Sequence, residues 1–252
     1  TAVGYLAGYA VTTGIQNTLL GGLAGDALTD ADDNVAVGMV ALSSDTQGSK
    51  STAIGKAALS TQNFSSATDS HNTAVGYHAG LSVTSGIQNT LIGGLAGDAL
   101  TDADFNVAVG KGALSADTLG SKSTAVGVGA LEAQNFTSAT DTHNTAVGLN
   151  AGNAITTGVN NTLLGALAGD GITTGTRNTA LGYRSLSGAV DDGLNNTCVG
   201  SDAGLVTTGS QNCFVGGYDP STGGSGAEVT TGSKNTILGS YNGNQNSLDI
   251  RT

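Results

Sequence analysis

Read for apolar and polar positions, the chain repeats one phrase: Asn, then Thr, then two apolar residues and a Gly. It appears as Asn72-Thr73-Ala74-Val75-Gly76 and again as Asn144-Thr145-Ala146-Val147-Gly148. The closing glycines are Gly4, Gly21, Gly38, Gly55, Gly76, Gly93, Gly110, Gly127, Gly148, Gly165, Gly182, Gly200, Gly216 and Gly239. Most are 17 residues apart, with two spacings of 21. The residue before this anchor is always Val, Leu or Ile, which predicts a buried slot. One residue earlier stands Ala, Leu, Cys, Phe or Ile, so both faces of a short strand are apolar, unlike the alternation of a strand wet on one side. Thr fills most of the preceding slot, a β-branched choice suited to a strand.

After the anchor, the third residue is usually Ala and the fourth mostly Gly or Leu. Leu19, Leu91 and Leu163 precede Gly25, Gly97 and Gly169, whereas Leu42, Leu59, Leu114, Leu131 and Leu186 accompany a small Ala upstream. Such a trade keeps a shared packing volume constant. Stretches such as "VTTGIQN" and "ITTGVNN" supply turn residues. A period near 17 is too short for helix-pair repeats and fits one coil of short strands and turns. The expected fold class is therefore all-β, a parallel β-solenoid of about 14 coils. At about 4.8 Å per coil it makes a rod of roughly 60 Å. The coils predict a solenoid over residues 1–239. Residues 240–252, with alternating Leu248 and Ile250, predict a transition into a different β module. A strand apolar on both faces implies one face inside the solenoid and one meeting something outside, for which a homotrimer is the simplest expectation.

Asn opens the phrase at Asn17, Asn34, Asn72, Asn89, Asn106, Asn144, Asn161, Asn178, Asn196, Asn212 and Asn235, with Ser51 and Ser123 as exceptions. One amide at the same corner of every coil predicts a structural ladder. Residues 1–72 match residues 73–144 at 55 of 72 positions, the mark of a duplicated block of coils.

Composition removes several function classes. The formal charge is −11 with eight scattered Lys and Arg, so no basic stripe exists and nucleic-acid binding is not expected. No apolar run reaches a membrane span, so no membrane insertion is expected. Aromatic content of 4% leaves the core to Ala, Val, Leu, Ile and Thr.

"NTAVG" with its trailing Ala resembles the repeated phrase of trimeric autotransporter adhesin heads, which are left-handed parallel β-rolls, although the coil here is longer. The ensemble "NTAVGYHAG…TTGIQNT" with "NTILGSYNGNQNSLDIRT" resembles the repeat region of tailed-phage tail fibres, upstream of a C-terminal intramolecular chaperone. The tail-fibre resemblance implies a trimeric, receptor-facing fibre on the virion, and the adhesin resemblance a left-handed β-roll-like coil. The fibre would carry or form the surface that binds a host cell-surface receptor or glycan. The alternative is the head of a bacterial surface adhesin.

Candidate receptor contacts fall in the two longer coils, because loops carry recognition: Phe64, Asp69 and His71, and their counterparts Phe136, Asp141 and His143. Phe64 and Phe136 have the alternative of pinning their own loops, and the histidines of anchoring theirs. The acidic turns around Asp26, Asp30, Asp32 and Asp33, and around Asp98, Asp102 and Asp104, lack an ordered ligand pattern and read as solvated turns, so neither metal nor cofactor is expected. Only Glu132, Glu228 and the turn pair Asp191 and Asp192 offer candidate paired acids, and no nucleophile, base and orienter set accompanies them; no enzyme is expected. Ice binding by Thr rows is disfavoured if the Thr slot shares the face of a buried Val. Cys198 and Cys213, offset by one slot, are expected to be free and buried.

Overall fold

The computed structural model describes residues 1–188, 193–221 and 223–243. It is all-β, a parallel β-solenoid with no helix among the described residues. By internal contacts the chain forms two units: Thr1–Ser123 with Asn135–Asp141, and Thr124–Gln134 with the chain from Thr142 onward.

In the first unit the phrase becomes the strands Ala2–Val3, Thr18–Leu20, Val35–Val37, Thr52–Ile54, Thr73–Val75, Thr90–Ile92 and Val107–Val109. Each pairs in parallel with the next, slot for slot: Thr18 with Val35, Leu19 with Ala36, Leu20 with Val37. The longer coils add two short ladders, Gly48–Ser49 with Thr68–Asp69 and Gly120–Ser121 with Thr140–Asp141. The second unit stacks Thr124–Val126, Thr145–Val147, Thr162–Leu164, Thr179–Leu181, Thr197–Val199, Cys213–Val215 and Thr236–Leu238 in the same way.

Three positions per coil adopt left-handed backbone, which turns the chain in so few residues. They are the second after the anchor (Leu6, Leu23, Val40), the fourth (Gly8, Gly25, Leu42), and the residue before the corner Asn (Gln16, Asp33, Lys50). Non-glycine residues pay roughly 1–2 kcal/mol for that region, a cost offset by stacking. The anchor itself admits no side chain: at Gly21 a Cβ would overlap the carbonyl of Gly38 in the next coil.

The interior is built from four columns. They are the middle strand residue (Leu19, Ala36, Leu91), the third residue after the anchor (Ala24, Ala41, Ala96), the fourth, and the seventh (Leu28, Val83, Leu100). The size trade is real and spans two coils. A Cβ on Gly97 would lie 2.7 Å from Leu91 Cδ2, and one on Gly80, in the preceding coil, 2.7 Å from Leu91 Cδ1. One Leu thus needs two glycines, its own and its predecessor's. Phe214 repeats the arrangement between Gly204 and Gly226.

At the C-terminal end, Gly226 N–H donates to the Tyr241 carbonyl at 2.9 Å and Glu228 N–H to that of Asn242 at 2.8 Å. The backbone ladder therefore runs past Gly239 to Asn242. The alternating segment with Leu248 and Ile250 lies outside the described residues.

Candidate functional site

The strand slots face opposite to the sequence expectation. The middle residue is the buried one, and the residue before the anchor points outward: Val3 is 56% exposed, Leu20 47%, Ile54 38% and Ile92 39%. In the second unit Val147, Leu164 and Leu181 are likewise exposed. Because strand side chains alternate, the Thr column shares that outward face: Thr18 is exposed, and Thr52, Thr73 and Thr90 are half-buried. With the Thr face outward, burial gives no reason to disfavour ice binding by the Thr rows. Each unit presents a ruled surface of Thr and aliphatic columns, one pair per strand.

The asparagine corner is buried, and its bonds run mainly from side chain to backbone rather than amide to amide. Asn89 Oδ1 accepts the backbone N–H of Asn106 at 2.9 Å, and its Nδ2 donates to the Ala103 carbonyl at 2.7 Å. The same pair of bonds recurs at Asn17, Asn34, Asn106, Asn161, Asn178 and others. Each Asn satisfies one donor and one acceptor of the following coil, which would otherwise be buried and unmet.

Ser51 departs from Asn because a side chain from elsewhere fills its space. Asp45 and Gln62 occupy consecutive seventh-residue slots of the interior, where other coils carry Leu28 or Val83. Gln62 Nε2 donates to Asp45 Oδ2 at 2.6 Å and to Ser51 Oγ at 2.9 Å, while its Oε1 accepts from Asn72 Nδ2 at 2.9 Å. Asp45 Oδ1 also accepts the N–H groups of Gly48 at 2.9 Å and Phe64 at 3.3 Å. All four polar side chains are fully buried. Asp117 repeats the capture of Gly120 and Phe136, and Gln134 that of Asn144. The sequence reading missed this network; the polar residue in an otherwise aliphatic column was its signal.

The network anchors both longer loops. Phe64 and Phe136 are buried, each 7% exposed, so they pin their loops. Asp69 and Asp141 are exposed and paired with Lys50 and Lys122 at 2.5 Å. The lysine hydrogen bond holds the Asp69 carboxyl below the ordinary range. His71 and His143 stand exposed in left-handed corners, φ 50° and 51°.

The acidic turns address the preceding coil. Asp32 and Asp104 accept the N–H groups of Ile15 and Ile87 at 2.7 Å, and Asp30 accepts from the Thr13 hydroxyl. Burial raises the carboxyl pKa of Asp98, Asp104 and Asp170. Among the described residues no three His, Cys, Asp or Glu side chains converge to hold a metal ion. Glu132 and Glu228 each accept one Asn amide, from Asn153 and Asn242; Asp191 and Asp192 lie outside the described residues. Both cysteines are free, but only Cys198 is buried, and burial pushes its thiol up to about 12. Cys213 replaces Thr in the outward column and is half-exposed, which corrects the expectation of two buried thiols.

One further group lies away from the loops. The His78 ring stacks on Tyr77 at 3.8 Å with 14° between planes, and Lys56 Nζ lies 5.8 Å from the Tyr77 ring centroid. Comparison with known protein families, with curated proteins and with solved structures returns no match.

Proposed function

We infer that this chain is a structural and host-attachment segment of a viral tail fibre. In this reading fourteen left-handed coils form a rod, and three rods associate in parallel with equivalent coils at the same height. The observation that carries it is the outward sheet face. Val3, Leu20, Ile54, Ile92, Val147, Leu164 and Leu181 of its aliphatic column are exposed in a single chain, and Val37, Val75, Val109 and Val126 are half-buried. Burying such a side chain fully is worth about 1.5–3 kcal/mol, and several per unit await cover. Three parallel copies bring equivalent columns together at the same height, so the exposed aliphatic rows can be covered by those of the neighbouring copies. Between the two copies of the duplicated block this face changes only from Leu20 to Ile92 and from Ile54 to Val126, as a packed interface requires.

The rod is then non-enzymatic and extracellular on the virion, with a host receptor or glycan as its partner. The head of a bacterial trimeric adhesin shares the architecture and differs in what anchors it. Light scattering of the purified chain tests the association: we expect three times the chain mass of 24.5 kDa, and a well-behaved monomer refutes it. The outward Thr column also favours a second reading, ice binding by a regular Thr and aliphatic surface. Thermal hysteresis by a monomer would establish that reading in place of the fibre.

A further inference from the structure

The duplicated block holds an internal record of which surface changes. Residues 1–72 and 73–144 differ at 17 positions, and ten of these fall at the first, second, fifth and sixth residues after the anchors. Those columns make up only 16 of the 72 positions; the other 56 hold seven differences. The changes there alter chemistry: Leu6 is matched by His78, Tyr9 by Leu81, Met39 by Lys111, Lys56 by Val128 and Ser60 by Glu132. Exposure alone does not explain the bias. Thr12, Gln16, Asp30, Lys50, Asp69 and His71 are exposed and identical in the second copy.

These columns form one continuous row in the first unit. The third and fourth residues after the anchor point inward; of the first, second, fifth and sixth in this unit, Ala57 and Ser60 are buried and the others are exposed or half-buried. Backbone bonds join the row coil to coil: His78 N–H to the Lys56 carbonyl at 3.0 Å, Leu95 to Tyr77 at 2.9 Å, and Gly112 to Gly94 at 3.1 Å. The leading column therefore reads Lys56, Tyr77, Gly94, Lys111 in successive coils. Tyr77 is 52% exposed. At Gly94 a Cβ would meet nothing nearer than the Tyr77 carbonyl at 4.0 Å, so the step beyond the ring is open. Three coil steps separate the lysines, roughly 14 Å at about 4.8 Å each.

Charge completes the picture. The first unit has four lysines; Lys50 and Lys122 are paired with Asp69 and Asp141, while Lys56 and Lys111 have no carboxylate partner among the described residues. A chain of net charge −11 thus keeps two free cations and a stacked aromatic pair on its most diversified row. The row also carries the Asp98 carboxylate, fifth after Gly93, which interacts electrostatically with His78; salt confines charge effects to about 8 Å at physiological strength, so each lysine acts as a separate close contact.

We propose that the row centred on Lys56, Tyr77, His78 and Lys111 binds an anionic polysaccharide, its acidic groups on the two lysines and a sugar face against the aromatic pair. The shared chemistry is a linear sugar chain bearing carboxylate or sulfate groups. Its biological role rests on the attachment reading; the binding itself does not. The aromatic body gives flat contact area at small entropic cost, and the ammonium groups give steering that salt weakens.

Binding of the purified chain to immobilised polygalacturonate, dextran sulfate and uncharged dextran tests it, at low and at raised salt. We expect one anionic polymer to be retained at least tenfold better than dextran, with loss in raised salt; which one identifies the acidic group. Lys56→Val with Lys111→Met, the residues of the other copy at those slots, should reduce retention at least tenfold, and Tyr77→Leu should reduce it at unchanged salt dependence. Lys234→Gln, far along the chain, should change nothing. Equal retention of all three polymers, or full retention by the double variant, overturns the proposal. A trimer that ignores both anionic polymers sinks this inference and leaves the fibre reading standing; a monomer that binds them does the reverse.

Discussion

Replacing Asn89 by Ala tests whether the corner amides hold the coils together. Asn89 is fully buried, and its side chain meets two groups of the next coil, the Asn106 N–H at 2.9 Å and the Ala103 carbonyl at 2.7 Å. Alanine leaves both buried without partners. Each unmet group costs about 1–3 kcal/mol, so the variant should lose about 2–6 kcal/mol. At roughly 2–4 °C per kcal/mol for a chain of this size, the melting temperature should fall by about 5–20 °C. Repeat arrays do not always unfold in one step, so hydrogen exchange at the Asn106 amide supplies a local readout, and it should accelerate most there. Ser138→Ala, on an exposed loop, serves as the comparison and should stay within about 0.5 kcal/mol. Equal melting of the two variants, with an unchanged Asn106 amide, would refute the reasoning.

Gln62→Ala should destabilise by about 2–4 kcal/mol, because it strips donors from Asp45 and Ser51 and an acceptor from Asn72; proteolysis within residues 63–70 should rise with it, and an unaltered cleavage pattern would reject the anchoring role. In dissociated native chains an alkylating reagent should modify Cys213 and spare Cys198 until denaturation, whereas assembly should protect Cys213; labelling of Cys198 first would show the strand faces reversed. For Asp98, burial raises the folded pKa above its ordinary 3.8, so the folded state holds the proton more tightly and stability falls as pH rises through that window. Asp98→Asn should therefore melt higher than the parent at pH 7, with the advantage vanishing below pH 3.8; a lower melting temperature at pH 7 would show that the carboxylate is stabilised instead.

The coil and its register were legible in the residues alone. Anchor glycines 17 residues apart, with no room for a helix pair, left only a stacked β architecture. Thr, the two apolar slots and the Asn corner marked each strand to the residue, and a one-slot offset sufficed to put Cys198 and Cys213 on opposite faces. The sequence left undecided which face lies inside, because Leu91 and Ile92 are equally apolar neighbours. Tertiary structure decided that through the left-handed corners at the second and fourth residues after each anchor, which bring the Ala and Gly columns opposite the middle strand residue. The partners of the size trade also required three dimensions: Leu91 reaches Gly80, earlier in the chain, because one coil rises by only a strand spacing, about 4.8 Å, and its two Cδ methyls splay, one toward Gly97 and one toward Gly80. Gln62 likewise fills the space beside Ser51, eleven residues away in sequence, by reaching across the interior of their own coil. Periodicity reveals what every coil shares, while a contact between adjacent coils depends on how far each side chain reaches across the gap.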